Sequence, residues 1–459
     1  MERVIKYFLV AAIAASFVGK LVLAFLNQGL WWDEAVYLGL GRSILHGSYT
    51  LQENSTLEMF RPPAFPLLMS PLSESVLLAR LAVIAISAFS VLLTYHAGKR
   101  MLGQETGLWA SLLLSTSYMF VYYSGKVLSE PLFLSFLALS LLCFMAWARE
   151  RKPGNALLAG MFAGLCFITR YMGGVIILAY AVFFLVLLLR RDRGSLGGLL
   201  GLLAGFVIPL IPWSLLSMAN YGSPLGAFLA NSAVTFEFPS WDFLAAGNDI
   251  AYGLGLALPF FLIGFYLLSG KRIREEGVFF LLLLSLISLA AYLILPYREP
   301  RYLLTFYPAY AIVAGFGVHG ITGHKAIRRI RSSIQFIVIL ASILFLIWAF
   351  LAVWDDSQAA ICLERSSMEL RNLTGPGEKV MTESYPYIIY LSDRQVVKPP
   401  RNETALLPAL EGNGIRYLLV YKFEPKNPEY LYNLSSRFTK IQTFAEWKDP
   451  EACVIYEFA

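Results

Sequence analysis

The sequence is dominated by apolar runs that are long enough to cross a membrane as helices. The hydrocarbon core of a bilayer is about 30 Å thick, and a helix needs about 20 mostly apolar residues to cross it. The sequence therefore predicts a membrane all-α domain of about eleven transmembrane helices. These runs lie near residues 7–26, 76–97, 107–124, 128–147, 156–170, 171–189, 195–217, 251–269, 277–296, 302–318 and 334–354.

Composition and charge set the class and the orientation. Hydrophobic residues make up 57% of the chain and charged residues only 15%, so most of its surface must lie in lipid. With the N-terminus inside, the inner loops hold about 17 Lys and Arg residues, and the outer loops before the tail hold about six. The net charge of +6 therefore reflects cytoplasmic loops and not a nucleic-acid partner. We expect a multi-pass plasma-membrane protein with a cytoplasmic N-terminus.

The tail is predicted to be a separate domain outside the membrane. An odd number of helices over residues 1–354, with long outer loops at 27–75 and 218–250, leaves residues 355–459 outside. The tail shows a helical pattern followed by several short strand-like runs, which predicts an extracytoplasmic α/β domain. If the tail is outside, Cys362 and Cys453 can form a disulfide; two free thiols are the alternative.

The first outer loop opens with paired acids, Asp33 and Glu34, directly after Trp31 and Trp32. Partial desolvation at a membrane–water boundary raises a carboxylate's proton affinity, which suits a general base. The structural alternative is an aromatic belt followed by an ordinary helix start with acids near its positive end.

Two basic residues flank this part of the chain. Lys20 lies within the first apolar run and must snorkel, pair or face a polar cavity. Arg61 precedes Pro62 and Pro63, and either binds an anion or flanks a membrane helix.

Further charged residues fall at the predicted outer ends of later helices. The positive-inside rule makes outer arginines unusual, and a guanidinium group suits a phosphate. The structural alternatives are a helix start for Glu130 and pairing of an arginine with Glu299. These candidate substrate-binding residues are Glu130, Arg170, Arg298, Arg301 and Tyr302.

These short runs together resemble a known family. Leu30–Ala35, Arg61–Leu68, Ser129–Phe133 and Arg298–Leu304 are similar to the motifs of the GT-C membrane glycosyltransferases. The greatest similarity is to the branch of protein O-mannosyltransferases and lipid A aminoarabinose transferases. The resemblance implies a polyprenyl-phosphate-linked sugar as donor and inverting transfer to a protein or glycolipid acceptor outside.

The resemblance also assigns roles. It implies that Asp33 is the general base, with Glu34 as the neighbouring acid, and that Arg298 and Arg301 lie near the donor phosphate. Lys20 matches a basic position in the first helix of the family. The residues agree with this on physical grounds, because nucleotide sugars are made in the cytosol while the acids face outward, and a lipid-linked donor resolves that mismatch.

Other functions and a metal stay open at this point. A lipid-glycan scramblase or translocase, or a ligase that joins whole glycans, would fit the same scaffold. No cofactor is required by any motif. His46, Glu53 and Glu58 could assist a divalent metal in the first loop, but their spacing is irregular for a metal site.

Overall fold

The fold is that of a computed structural model, which describes residues 3–27, 29–52, 55–192, 194–236, 243–295, 298–324, 329–356, 360–434, 438–446 and 449–458. It divides into two compact units. We call the first the helical unit; it comprises Met1–Val22, Phe60–Phe65 and Arg80–Ala352. We call the second the tail unit; it comprises Leu23–Met59, Pro66–Ala79 and Val353–Ala459.

Helices account for nearly all of the chain before the tail. In chain order they are α1 (Arg3–Leu26), α2 (Trp32–Leu45), α3 (Ala64–Met69), α4 (Val76–Leu102), α5 (Gln104–Ser115), α6 (Tyr118–Ser124), α7 (Glu130–Glu150), α8 (Pro153–Thr169), α9 (Gly174–Leu189), α10 (Ser195–Tyr221), α11 (Gly226–Phe236), α12 (Phe243–Leu254), α13 (Ala257–Ser269), α14 (Glu276–Ile294), α15 (Arg301–Leu304), α16 (Tyr307–Gly323) and α17 (Arg331–Asp356). Short 3-10 turns lie at Ser70–Leu72, Tyr171–Gly173 and Lys271–Arg274.

Every predicted apolar run contains helix, but some runs are interrupted. The run 107–124 is divided between α5 and α6, and the run 251–269 bends by 91° between α12 and α13. At that bend Gly255 has a φ of +49°, which a residue with a side chain rarely adopts. In the described part of the chain, seven helices are long and apolar enough to span a membrane, or up to eight if the bent pair is one span. The total of eleven transmembrane helices stays a prediction. The apolar helices indicate an integral membrane protein.

Close helix packing in the helical unit depends on glycine. A Cβ on Gly160 of α8 would lie 1.9 Å from the carbonyl oxygen of Leu202 in α10, and a Cβ on Gly205 would lie 2.0 Å from that of Leu157. The two backbones therefore approach each other without side chains between them. Because lipid provides no hydrophobic drive for helix association, such small-residue contacts supply the packing that holds membrane helices together.

The tail unit contains a mixed sheet. Its strands are β1 (Lys379–Met381), β2 (Gln395–Val397), β3 (Tyr417–Tyr421), β4 (Phe438–Glu446) and β5 (Asp449–Phe458), in the order β2-β1-β3-β5-β4. β1 pairs in parallel with β2 and β3, whereas β5 pairs antiparallel with β3 and β4. Helices α18 (Ile361–Leu373), α19 (Tyr385–Ser392) and α20 (Leu406–Asn413) complete it, with 3-10 turns at Glu403–Ala405 and Glu429–Tyr432.

The α/β character predicted for the tail is thus confirmed. The disulfide also forms: Cys362 in α18 is bonded to Cys453 in β5, with their Cα atoms 5.7 Å apart. The strand β2 was not predicted.

Much of the first outer loop is part of the tail unit. The Arg42 guanidinium pairs with Glu74 at 2.8 Å and donates to the backbone carbonyl of Tyr390 at 3.0 Å. The Tyr390 hydroxyl in turn donates to the carbonyl of Ser73 at 2.8 Å. The side chain of Gln52 accepts the backbone N–H of Val396 at 2.8 Å. Hydrogen bonds therefore join this loop to tail residues that lie far from it in the sequence.

We expect Gly205→Ala to destabilise the protein by roughly 1–3 kcal/mol, because its new methyl group meets backbone and not a flexible side chain. Gly197→Ala in the same helix is the matched control, since nothing lies within 4 Å of a Cβ there. That change should be neutral or stabilising by up to about 1 kcal/mol, because alanine favours helix over glycine. Equal unfolding midpoints for the two variants in detergent would contradict the packing argument.

Candidate active site

The paired acids of the first loop open helix α2 in the tail unit. Glu34 Oε2 accepts the backbone N–H of Trp31 at 2.9 Å, which satisfies one of the donors left open at a helix start. Glu34 therefore has the structural role of an acid at a helix start, which was the alternative to a catalytic role for the pair. Asp33 is only 7% exposed.

Aromatic side chains from the tail surround the start of α2. The Trp32 ring contacts Tyr385 and Tyr387 of α19 edge-on, with centroids 5.1 and 6.0 Å apart. Burial, together with the nearby acids Glu424, Glu34 and Asp33, raises the pKa of Tyr387 well above its usual value. The phenol of Tyr387 therefore stays protonated beside the Asp33 carboxylate.

A further acid of the first loop meets the same aromatic group. Glu58 is buried, has a φ of +59°, and accepts a hydrogen bond from the Tyr385 hydroxyl. Among the described residues, no group of three or more His, Cys, Asp and Glu side chains could hold a metal ion. His46 is exposed, and Glu53 lies outside the described residues. A divalent metal in this loop stays a prediction.

In the helical unit, the buried Glu130 carboxylate forms an ion pair with the half-buried Arg170 guanidinium. Arg170 follows directly after α8, and its Nη1 lies 2.9 Å from Glu130 Oε1 and 3.1 Å from the Ser129 hydroxyl. Glu130 is fully buried at the first position of α7, and Pro131 follows it. The pair thus joins the start of α7 to the end of α8. The helix-start interpretation of Glu130 did not predict this partner.

Arg301 and Tyr302 lie beside this pair. The Tyr302 ring centroid is 5.9 Å from the guanidinium carbon of Arg170 and 5.9 Å from that of Arg301. Arg301 also pairs with Glu299 at 2.5 Å, as the structural alternative predicted. Arg301, Glu299 and Glu130 all interact electrostatically with Tyr123 of α6. The helical unit therefore contains one cluster, which we call the arginine cluster: Tyr123, Glu130, Arg170, Glu299, Arg301 and Tyr302.

Arg298 has different partners. Its Nη1 donates to the backbone carbonyl of Leu293 at 3.3 Å, and its charge interacts with buried Tyr292. The Tyr292 hydroxyl donates to Asp249 of α12 at 2.9 Å. Neither Tyr292 nor Asp249 was predicted, because neither belongs to a recognisable motif.

Lys20 does not snorkel. It is 1% exposed, and its amino group has no hydrogen-bond partner in the described part of the chain. The amino group lies 3.8 Å from the ring centroid of Phe120 in α6 and 4.6 Å from that of Phe17. Aromatic faces stabilise a cation less than an anion does. A buried lysine amino group without a polar partner among the described residues is a candidate contact for an anionic ligand.

Arg61 is half-buried and lies next to a residue that is anchored in the same unit. The carbonyl of Phe60 accepts a hydrogen bond from Tyr171 at 2.9 Å, and Tyr171 follows Arg170 in the chain. Trp213 of α10 donates to the same tyrosine hydroxyl at 3.2 Å. The backbone at Arg61 is therefore fixed close to the end of α8.

The chain is similar to known proteins in one stretch of its sequence and in its fold. The family model described as dolichyl-phosphate-mannose-protein mannosyltransferase matches residues 65–213. The structure is similar to ArnT from Cupriavidus metallidurans, solved with undecaprenyl phosphate: TM-score 0.74, 13% identity, covering 98% of this chain and 97% of that one. The chain has the GT-C fold.

Other solved GT-C structures share the fold more distantly. The archaeal oligosaccharyltransferase AglB from Archaeoglobus fulgidus, in complex with an inhibitory peptide and a dolichol-phosphate, gives a TM-score of 0.60 at 14% identity, covering 91% of this chain and 70% of that one. The arabinofuranosyltransferase AftD from Mycobacteria gives 0.54 at 14% identity, covering 100% of this chain and 40% of that one. A comparison with curated proteins gave no match. The resemblance identified from the four motifs is confirmed.

Within the GT-C fold, the predicted site residues fall into distinct groups. The structure brings Glu130, Arg170, Arg301 and Tyr302 together, and it places Asp33 and Glu34 side by side with tail residues. Arg298, Lys20 and Arg61 each have their own surroundings. Sequence reasoning missed the tail residues near Asp33, since tyrosines and acids in a small α/β domain carry no motif.

We expect Arg170→Ala to destabilise the protein by about 3–5 kcal/mol, because it leaves the fully buried Glu130 carboxylate without its cation. Adding Glu130→Gln should restore much of that loss, since the buried charge is then removed. Arg272→Ala, which breaks an exposed pair with Glu275, is the control and should change stability by less than about 1 kcal/mol. Thermal unfolding in detergent tests all three, and additive losses in the double variant would contradict the pair.

Proposed function

We propose that the chain is an inverting glycosyltransferase that transfers a sugar from a polyprenyl-phosphate donor to a protein or glycolipid acceptor. The observation that carries the proposal is the arginine cluster in a GT-C fold. Guanidinium groups recognise phosphate through paired, charge-assisted hydrogen bonds. The solved neighbours support a lipid-phosphate ligand, because ArnT was solved with undecaprenyl phosphate and AglB with a dolichol-phosphate.

The proposed reaction has a simple balance of bonds. An oxygen of the acceptor attacks the anomeric carbon of the sugar, and the bond from that carbon to the phosphate oxygen breaks. The acceptor's proton passes to Asp33, and the polyprenyl phosphate leaves as an anion. General-base catalysis and cationic stabilisation of the departing phosphate are the two contributions that this reaction needs.

Each predicted residue has a part in this proposal. Asp33 is the base, and Glu34 fixes the start of α2 through its bond to Trp31. Arg298, Arg301, Lys20 and Arg61 bind the donor phosphate. The remaining predicted residues, Glu130, Arg170 and Tyr302, bind the substrate.

Topology completes the proposal. The excess of basic residues in alternate loops supports a cytoplasmic N-terminus and an outward tail, in the plasma membrane. Residues 1–354 form the transferase domain, and residues 355–459 form the extracytoplasmic domain. An outward site suits a donor that is carried across the membrane by its lipid.

We expect Asp33→Asn to lower the transfer rate by about 10²–10⁴-fold, because the amide cannot accept the acceptor's proton. Donor binding should survive, since an acid near a phosphate contributes repulsion. The measurement is the transfer rate alongside donor binding in nanodiscs. Glu34→Gln should cost less, because an amide oxygen can still accept the Trp31 N–H. Full activity in both variants would remove the catalytic role of this loop and favour a scramblase.

We expect Arg301→Ala to weaken donor binding by about 1.5–3 kcal/mol through loss of a charge-assisted contact. Arg301→Lys should recover only part, because lysine lacks the two-pronged guanidinium group. Arg272→Ala is a matched control, since it removes an exposed arginine from a surface pair. Donor affinity measured in nanodiscs for all three variants decides the matter; an unchanged affinity in Arg301→Ala would leave Arg301 with only its structural pairing to Glu299.

A further inference from the structure

Three basic side chains of the tail unit form a cluster that the proposed reaction does not use. Lys398, Arg401 and Lys426 are all exposed, and we call them the basic rim. Arg401 Nη1 lies 3.8 Å from Glu383 Oε1, and the charges of Lys398 and Lys426 also act on Glu383. The three cations therefore lie around one carboxylate, and Lys426 comes from a different stretch of the tail than Lys398 and Arg401.

The charges in this cluster are sorted by depth. Glu383 is 3% exposed and Glu424 is 6% exposed, whereas every member of the basic rim is exposed. Burial raises the pKa of Glu424 to about 7 and also raises that of Glu383. Near neutral pH the buried acids therefore compensate the rim only in part. Buried Glu58 also acts on Lys398, so a solute that approaches from the solvent meets three exposed cations whose counter-charges lie buried beneath them.

The rim cations are held in position. Arg401 Nη1 donates to the backbone carbonyl of Lys426 at 2.6 Å, and Lys426 N–H reaches Glu424 Oε1 at 3.4 Å. The Lys398 amino group lies 4.3 Å from the ring centroid of Tyr385, and the Lys426 amino group lies 5.5 Å from that of Trp32. Cation–π contacts and a fixed backbone reduce the entropy that a ligand must remove on binding.

Trp32 connects the rim to the candidate base. Its ring is contacted by Lys426, and Asp33 is the next residue in the chain. Tyr387 also contacts the Trp32 ring edge-on. The charges of both Asp33 and Glu424 act on Tyr387, so one aromatic group borders both the candidate base and the rim. An anionic group bound at the rim would hold the rest of its molecule against this aromatic group. The cationic surface there attracts a negatively charged molecule, whereas a neutral molecule gains no such electrostatic attraction.

We propose that the basic rim binds an anionic group, a phosphate or a carboxylate, carried by the acceptor, and so selects acceptors that are negatively charged next to the hydroxyl to be glycosylated. This rests on the transferase function proposed above. The rim is then a specificity determinant of the tail, distinct from the arginine cluster assigned to the donor.

The first test measures binding alone, with no donor and no transfer. The full chain in phosphatidylcholine nanodiscs is titrated with glucuronate, glucose 6-phosphate and neutral methyl glucoside, and binding is followed by ligand-observed NMR. We expect both anionic sugars to bind and methyl glucoside not to bind. Lys426→Ala and Lys398→Gln should each weaken binding on the order of tenfold, as for loss of one charge-assisted contact. Lys440→Ala, which removes an exposed tail lysine paired with Glu451, should leave binding unchanged.

The outcomes separate the sources of the anion. Rim-dependent binding of the soluble sugars supports a glycan acceptor. If the soluble sugars fail to bind but phosphatidylglycerol in the nanodisc binds in a Lys426-dependent way, the rim recognises a lipid headgroup and the acceptor assignment is overturned. Equal affinities in wild type, Lys426→Ala and Lys398→Gln overturn the proposal. Because no transfer is measured, loss of the transferase function would leave a positive binding result standing.

A second arm uses pH. Glu424 faces Lys426, Glu383, Ser384 and Tyr387, and protonation removes its negative charge from beneath the rim. Affinity for glucuronate should therefore rise as the pH falls from about 8 to about 6, the range that spans the raised pKa. Glu424→Gln should bind glucuronate with little dependence on pH over that range. A pH dependence that persists in Glu424→Gln, or an affinity that falls with falling pH, would contradict this account.

Discussion

In a lipid bilayer every backbone N–H and C=O must find its partner inside the protein, and the rest of this structure follows from that requirement. It makes helices the form of every long apolar run. Because lipid provides no hydrophobic drive, these helices associate through close packing. Gly160 and Gly205 allow the backbones of α8 and α10 to approach without intervening side chains. The helix ends that this packing fixes are where Glu130 and Arg170 meet.

The same low-dielectric surroundings govern the charges of the helical unit. Buried Glu130 is paired with half-buried Arg170, and Arg301 is paired with Glu299. A paired cation next to an aromatic ring such as Tyr302 is held in place before a ligand arrives, and preorganised charge is the main means by which enzymes stabilise developing anions. Lys20 differs, because its buried amino group is surrounded by Phe17 and Phe120. Arg170 and Arg301 are thus fixed in position by their ion pairs, whereas Lys20 is held by aromatic rings.

Sequence alone could predict the elements that depend on composition and periodicity. The apolar runs contain helix, and the tail, where short strand-like runs were predicted, contains strands such as β3. The bend at Gly255 and the three-residue strand β2 were not predictable, because each depends on packing and not on a local pattern. The pairing of Glu130 with Arg170 was also hidden, since 40 residues separate them. The charges of Glu130 and Arg170 and their predicted positions at helix ends were evident from the sequence. Their pairing with each other was not evident.

The candidate base depends on the tail for its surroundings. Asp33 lies between Trp32, whose ring is contacted by Tyr385, and Glu34, whose carboxylate is engaged by the helix start. The loop around them is joined to the tail by the Arg42–Tyr390 and Tyr390–Ser73 hydrogen bonds. A loop of this length would otherwise lose much conformational entropy on ordering. The tail's contacts offset that loss, and they place Tyr387 close enough to Asp33 and Glu34 for the charges of both acids to act on it. The sheet, its disulfide and the loop acids are therefore parts of one folded unit. A substitution in the tail can change the surroundings of Asp33 without changing Asp33 itself.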